Sequence, residues 1–90
     1  MCKIDKLSER IVTRDGYTLT VRVSKSTRNR FSSRIHCTAD LSRNGVDICS
    51  GWAVGPEDED IEATGKIGVL EEEAVSKAIV QAERIKAALA

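Results

Sequence analysis

Apolar and polar residues alternate through two segments in the first half of the chain, as they do in half-buried β-strands. The first segment places Tyr17, Leu19, Val21 and Val23 on one face and Thr18, Thr20, Arg22 and Ser24 on the other. The second places Phe31, Ile35, Cys37, Ala39 and Leu41 on one face and Ser32, Arg34, His36, Thr38 and Asp40 on the other. The alternation predicts two strands of a sheet that has one buried and one exposed face.

Two dipeptides predict where these strands turn. Asp15-Gly16 and Asn44-Gly45 are pairs that tolerate positive φ at both central positions of a type I′ hairpin turn. Asp15-Gly16 indicates a short edge strand over residues 11–14, paired with the strand that begins at Tyr17. Ile4, Leu7 and Ile11 are also spaced for a turn of helix, and this alternative stays open. Asn44-Gly45 indicates a third long strand that ends at Val54.

The turn at Asn44-Gly45 also gives a register for that third strand. The predicted apolar pairs are Leu41 with Ile48, Cys37 with Trp52, and Ile35 with Val54. A one-residue slip would set apolar side chains against polar ones. The pattern therefore predicts that Trp52 is buried. It places Cys49, Gly51 and Ala53 on the exposed face.

The last third of the chain has the spacing of one amphipathic helix. Apolar residues recur at helical intervals from Leu70 to Leu89, and three glutamates, 71–73, are predicted in its first turn, where the helix dipole favours carboxylates. Residues 55–68, GPEDEDIEATGKIG, predict an acidic exposed loop before the helix. Residues 1–10 are predicted to be a mobile N-terminus.

Together these elements predict one small α+β domain over residues 1–90. It is an antiparallel three-stranded β-meander, or a four-stranded one with the edge strand, and one C-terminal α-helix packs across one face (βββα). Because one helix covers one face, the other sheet face is predicted to be uncovered. In element order the chain resembles small double-stranded-RNA-binding-like and antitoxin-like domains and three-stranded-sheet DNA binders. It carries no diagnostic motif of these families, and no residue role is taken from them.

The charges sum to zero but are unevenly distributed. Residues 1–46 hold ten basic and four acidic side chains, and residues 47–90 hold four basic and ten acidic ones. The basic residues are densest in KSTRNRFSSR, residues 25–34. With the predicted open face they give the candidate binding surface of Arg22, Lys25, Arg28, Arg30, Arg34 and His36. An exposed hairpin also carries such charges without binding anything, and both interpretations stay open.

The cysteines and the histidine predict no reactive site. In the predicted register Cys37 points inward and Cys49 outward, so the two cannot share a metal or a disulfide. His36 and Cys49 lie on the same exposed face, but no acid is placed to orient the histidine. We therefore expect no catalytic residue, no metal and no cofactor. The charged N-terminus lacks the apolar run of a secretory signal, so free thiols in the cytoplasm are expected.

Function follows from the surfaces that this fold leaves open. We expect a small non-catalytic interaction module that binds a protein partner or itself, as a homodimer, through the uncovered sheet face or an edge strand. The alternative is a nucleic-acid-binding module that uses the basic hairpin and the open face, although a buried Trp52 would leave that face without an aromatic ring for stacking bases. An enzyme with Cys/His chemistry is a third hypothesis. Neither a membrane nor a small-molecule ligand is expected as a partner.

Overall fold

Four strands and one helix make up the part of the chain that the computed structural model describes, residues 3–29, 32–55 and 65–89. The strands form one antiparallel sheet in chain order: β1 Lys3–Arg14, β2 Tyr17–Asn29, β3 Ser32–Arg43 and β4 Val46–Val54. Helix α1, Ile67–Leu89, packs across one face of this sheet, mainly on β4 and β3. The predicted α+β meander with a C-terminal helix is confirmed, in its four-stranded form.

Both predicted hairpin turns are present. Asp15 and Gly16 have φ of 54° and 80°, and Asn44 and Gly45 have φ of 55° and 78°. Positive φ at both central positions is the condition for a type I′ turn, and glycine meets it without a Cβ clash. The first turn closes directly on the pair Arg14–Tyr17.

Strand β1 is much longer than the predicted strand over residues 11–14. It begins at Lys3, and so includes most of the segment that was expected to be a mobile N-terminus. Its pairing with β2 is regular except at Leu7, an extra residue between Lys6 and Ser8 that forms a β-bulge. Alternation did not mark this strand because its residues are exposed on both faces from Lys3 to Ile11.

The predicted register of β4 is wrong by one residue. Ile48 is an extra residue in this strand, so that Leu41 pairs with Cys49 while Ser42 pairs with Asp47. A bulge of this kind sends every later side chain to the opposite face. The observed pairs are Leu41 with Cys49, Ala39 with Gly51, Cys37 with Ala53 and Thr38 with Trp52.

Small residues explain why β4 takes this register under the helix. A Cβ atom on Gly51 would lie 2.3 Å from the carbonyl oxygen of Ala74 and 2.5 Å from the nitrogen of Ala78, both backbone atoms of α1. Ala39 and Ala53 beside it are fully buried. The helix approaches so closely that Trp52, in the predicted register, would have no room.

The core lies between α1 and the inward face of β2 and β3. Its buried residues are Tyr17, Leu19, Val21, Val23, Ile35, Cys37, Ala39, Leu41, Ala53, Leu70, Ala74, Val75, Ala78 and Ala82. The predicted inward faces of β2 and β3 are thereby confirmed for the residues that the structure describes, while Phe31 lies outside them.

Helix α1 begins at Ile67, one turn before the predicted start at Leu70. The three glutamates at 71–73 therefore lie in its second turn, beyond the first-turn positions where the dipole is strongest. Of the predicted acidic loop, residues 56–64 lie outside the described residues. Within the described ranges no helix is both long enough and apolar enough to cross a membrane.

Candidate interaction surface

The sheet face opposite α1, termed the outer face, carries side chains from all four strands. β1 contributes Ile4, Lys6, Glu9, Ile11 and Thr13, and β2 contributes Thr18, Thr20, Arg22, Ser24 and Ser26. β3 contributes Arg34, His36, Thr38, Asp40 and Ser42, and β4 contributes Asp47, Ser50, Trp52 and Val54. No helix covers this face in the described part of the chain.

Arg22 lies at the centre of a chain of polar contacts that crosses the outer face. Its Nε donates to Glu9 Oε1 at 3.2 Å, and its Nη1 pairs with Asp40. Asp40 also accepts from Ser50 Oγ at 2.6 Å, and Glu9 pairs with Lys6. The hydrogen bond and charge of Lys6, and then of Arg22, lower the pKa of Glu9. Cationic and anionic groups alternate here, so their charges cancel locally.

Three of the six predicted basic residues do share the outer face. Arg22 lies on β2, while Arg34 and His36 lie on β3, opposite Ser26 and Ser24. Arg34 is exposed and His36 is half-buried. Because two carboxylates already pair with Arg22, this group is less cationic than the sequence indicated.

The other three predicted residues do not join that group. Lys25 pairs in register with Ile35 and Asp5, which places it on the helix-facing side of the sheet. Arg28 is exposed where the register shifts between Thr27 and Asn29. Arg30 lies outside the described residues. Since β2 continues to Asn29, Lys25 and Arg28 are strand residues, whereas the sequence indicated a loop.

Trp52 lies on the outer face, although the alternation predicted that it is buried. The bulge at Ile48 turns its side chain away from the helix, and 64% of it is exposed. Lys77 reaches around the sheet edge from α1, with Nζ 5.9 Å from the centre of the Trp52 ring and 3.3 Å from its carbonyl oxygen. Gly51, beside Trp52, was the only signal in the sequence of a close helix contact at this point of β4.

Among the described residues, strand β1 forms a free edge of the sheet. Ile4 and Ile11 are each 72% exposed, and Leu7 at the bulge is 38% exposed. In an antiparallel ladder alternate residues turn their N–H and C=O groups to the same neighbour. The residue of β1 that closes the Asp15-Gly16 turn is hydrogen-bonded to β2, and so is every second residue before it. Ile11 and Glu9 lie between these residues, so their N–H and C=O groups point to the free edge.

Two arginines on the inner side of β1 tie the strand to α1. Arg10 Nε donates to Glu71 Oε2 at 3.1 Å, and Arg14 donates twice to Glu72, at 2.6 and 2.9 Å. The hydrogen bonds with Arg14 lower the pKa of Glu72, and the same contact raises the pKa of Arg14. These contacts involve side chains only, so they leave the edge backbone of β1 open.

The described cysteines both face the helix, which corrects the predicted exposure of Cys49. Burial raises the pKa of Cys37 to about 11 and also raises that of Cys49, whose Sγ lies 3.3 Å from the carbonyl oxygen of Ala78. Both are free thiols. His36 is on the other face of the sheet, so the expected His36 and Cys49 neighbourhood does not form. In residues 3–29, 32–55 and 65–89, no three His, Cys, Asp or Glu side chains group as metal ligands.

Two features of the described chain are therefore able to contact a partner, the outer face with Trp52 and the free edge of β1. Searches against protein-family models, curated proteins and solved structures gave no match. The function of the chain is accordingly inferred from its own residues.

Proposed function

We propose that this chain is a non-catalytic interaction module that binds another polypeptide by adding a strand at the edge of β1. The observation that carries the proposal is the length and exposure of this edge. β1 has 12 residues, and it is exposed without interruption from Lys3 to Ile11. A row of unpaired N–H and C=O groups of this kind is a template for another strand.

The side chains of β1 favour a selective partner over an indiscriminate one. Charged residues and a bulge are devices by which natural edge strands avoid unwanted pairing, and β1 has both, with Lys6, Glu9 and Arg10 around the bulge at Leu7. A strand that opposes these charges with charges of the opposite sign would still pair. The exposed Ile4 and Ile11, one on each side of the bulge, offer apolar contacts to such a strand.

A selection of short random peptides displayed on phage tests the proposal, with the chain immobilised sparsely so that copies do not meet. We expect enriched peptides to bind through backbone hydrogen bonds at β1. Ile11→Pro removes an edge N–H, whereas the matched control Ile11→Thr loses the same side chain and keeps the N–H. Binding should be lost in the first variant and largely retained in the second.

Peptides that bind both variants equally, or that lose binding only with Trp52→Ala, would contradict an edge site. The Trp52→Ala outcome would place recognition on the outer face. Circular dichroism and urea denaturation of each variant confirm that the chain is folded before binding is compared.

The second candidate function is nucleic-acid binding by the outer face, and the exposed position of Trp52 favours it. Bases stack on exposed aromatic rings in proteins that bind single strands, and Arg34 and His36 lie on the adjacent strand. Trp52 is the only tryptophan, so its fluorescence reports this binding directly. We expect quenching by a single-stranded oligonucleotide that weakens as salt rises, with Arg34→Ala lowering the salt slope by about one. Unchanged fluorescence at low salt would remove this candidate.

A further inference from the structure

The charges of β1 are arranged symmetrically about its bulge. Lys6 and Glu9 lie on either side of it, followed by Asp5 and Arg10, and then by Ile4 and Ile11. In a regular strand Lys6 and Glu9, three residues apart, would lie on opposite faces. The extra residue at Leu7 brings both to the outer face, opposite Ser24 and Arg22 of β2.

We infer that β1 pairs antiparallel with β1 of a second copy of this chain, with the two bulges at the centre of the interface. This inference rests on the proposed function, because it names the strand that β1 accepts. In this register Lys6 opposes Glu9 of the second copy, Asp5 opposes Arg10, and Ile4 opposes Ile11. Two-fold symmetry forms each of these pairs twice.

In each of these pairs both residues lie on the same face of the sheet, and the two charged pairs join opposite charges. Lys6, Glu9, Ile4 and Ile11 lie on the outer face, while Asp5 and Arg10 lie on the helix-facing side. A two-fold axis perpendicular to the sheet places the outer faces of both copies on the same side of the joined sheet. The two side chains of each pair therefore lie next to each other. Opposite charges and matched apolar side chains directly across an antiparallel pair are the stabilising combinations.

The neighbouring registers are unfavourable. A shift by one residue would set outer-face side chains against helix-facing ones. Because the extra residue Leu7 takes no ladder position of its own, a shift by two ladder positions opposes Glu9 with Glu9 in one direction and Lys6 with Lys6 in the other. Like charges directly opposite one another are destabilising. The bulge and the charges therefore select a single register.

The backbone and the position of the helix fit the same arrangement. Glu9 and Ile11 turn their N–H and C=O groups to the free edge, and the alternation continues beyond the bulge at Lys6 and Ile4. Pairing two edges would join two four-stranded sheets into one of eight strands. α1 packs mainly on β4 and β3, away from this edge, so both helices fit on the same face of the joined sheet.

The exposed ion pairs should determine register and selectivity more than affinity. Backbone hydrogen bonds and the two isoleucine pairs supply most of the attraction. Within one copy, Lys6 already pairs with Glu9 and Arg10 with Glu71, so dimerisation exchanges some contacts and adds others. We therefore expect a dimer whose population rises with protein concentration.

Charge reversal with complementation tests this register by sedimentation velocity at concentrations from micromolar to millimolar. Lys6→Glu alone and Glu9→Lys alone each oppose like charges in their own homodimers, and we expect the dissociation constant to rise at least about tenfold. An equimolar mixture of the two should recover the dimer, because position 6 of one variant then meets position 9 of the other with opposite sign. The double variant Lys6→Glu/Glu9→Lys should recover it as a homodimer.

Wild-type chain that remains monomeric throughout the range would overturn the inference, as would single variants that dimerise as tightly as the wild type. Failure of the mixture to recover the dimer would also overturn it. Lys6→Arg serves as the control that retains the charge, and thermal unfolding of every variant shows that each one folds. A monomeric wild type that still binds displayed peptides in an Ile11-dependent way would reject self-pairing and leave the proposed function standing. A monomeric wild type that also fails to bind displayed peptides would reject both self-pairing and the proposed function.

Discussion

Strands β1 and β4 are the two edge strands of one sheet, and within the described residues α1 packs closely on β4 but not on β1. β4 lies beneath α1, with Gly51 against the helix backbone and the carbonyl oxygen of Trp52 accepting a hydrogen bond from Lys77. In the described ranges no helix packs on β1 to the same extent, and Ile4 and Ile11 are each 72% exposed. β4 thus packs against the chain's own helix through its inner face and has one edge carbonyl bonded to it, while the described contacts of β1 with α1 are made by side chains.

The difference arises from where small residues allow two backbones to approach. Gly51 and its neighbours Ala39 and Ala53 form a shallow patch on β4 and β3, and Ala74 and Ala78 form the matching patch on α1. A single helix that sits there cannot also cover β1. Most of β1 is therefore exposed on both faces because the tightest packing lies at the other end of the sheet.

Gly51→Ala should have the largest effect, because it removes the packing that places α1 over β4. The new Cβ would lie 2.3 Å from one backbone atom of the helix and 2.5 Å from another, so the helix must shift. We expect a loss of about 3 kcal/mol or more in the free energy of unfolding, measured by urea denaturation. Gly68→Ala is the matched control, since a Cβ there meets nothing within 4 Å. Equal stability of the two variants would contradict the close contact.

The side-chain contacts between α1 and β1 should contribute less to stability than the packing at Gly51. Replacing Arg14 by Gln removes both hydrogen bonds to Glu72, and we expect the urea midpoint to fall by less than in Gly51→Ala because the pair is exposed. Amide exchange in β1 should accelerate relative to β4. A double-mutant cycle with Glu72→Gln isolates the pair, and a coupling energy of zero would show that the contact does not hold β1.

Acid pH should weaken the side-chain contacts of β1. The pKa values of Glu9 and Glu72 lie below their ordinary value of 4.5, in the first case chiefly because of Lys6 and in the second because of Arg14. The unfolded chain therefore binds protons more readily, and this contribution to stability is present above pH 4.5 and lost as the pH falls below it. When the pH is lowered, the urea midpoint of Glu72→Gln should decline less steeply than that of the wild type. An unchanged pH dependence in that variant would argue against the contribution of Glu72.

Lys77→Met should have the smallest effect, since it removes one hydrogen bond at the β4 edge and one exposed ion pair with Glu73. The apolar stem stays, the hydrogen bond to the Trp52 carbonyl is lost, and we expect a change of a few tenths of a kcal/mol in the free energy of unfolding. Trp52 emission should shift because the ammonium group leaves the vicinity of its ring. Arg84→Met, at another exposed position of α1, should leave the emission unchanged. The same shift in both variants would contradict a local contact.

Much of the fold could be predicted from local patterns. The alternation along β2 and β3, the two turns and the stripe of α1 depend on neighbours in sequence, and the structure confirms them over the described residues. β1 was largely missed because an edge strand that is exposed on both faces carries no alternation to detect. The candidate site was predicted less well, since three of its six residues share the outer face and Trp52 was assigned to the core.

The sequence by itself determined which strands pair, where they turn and which face of β2 and β3 is buried. Those properties follow from side-chain period and from backbone conformations that particular residues permit. Only the tertiary structure decided the faces of Trp52 and Cys49 and which of the two edge strands packs against α1. A bulge adds one residue without marking it in the pattern, and the position of α1 depends on how closely two distant backbones can approach at Gly51.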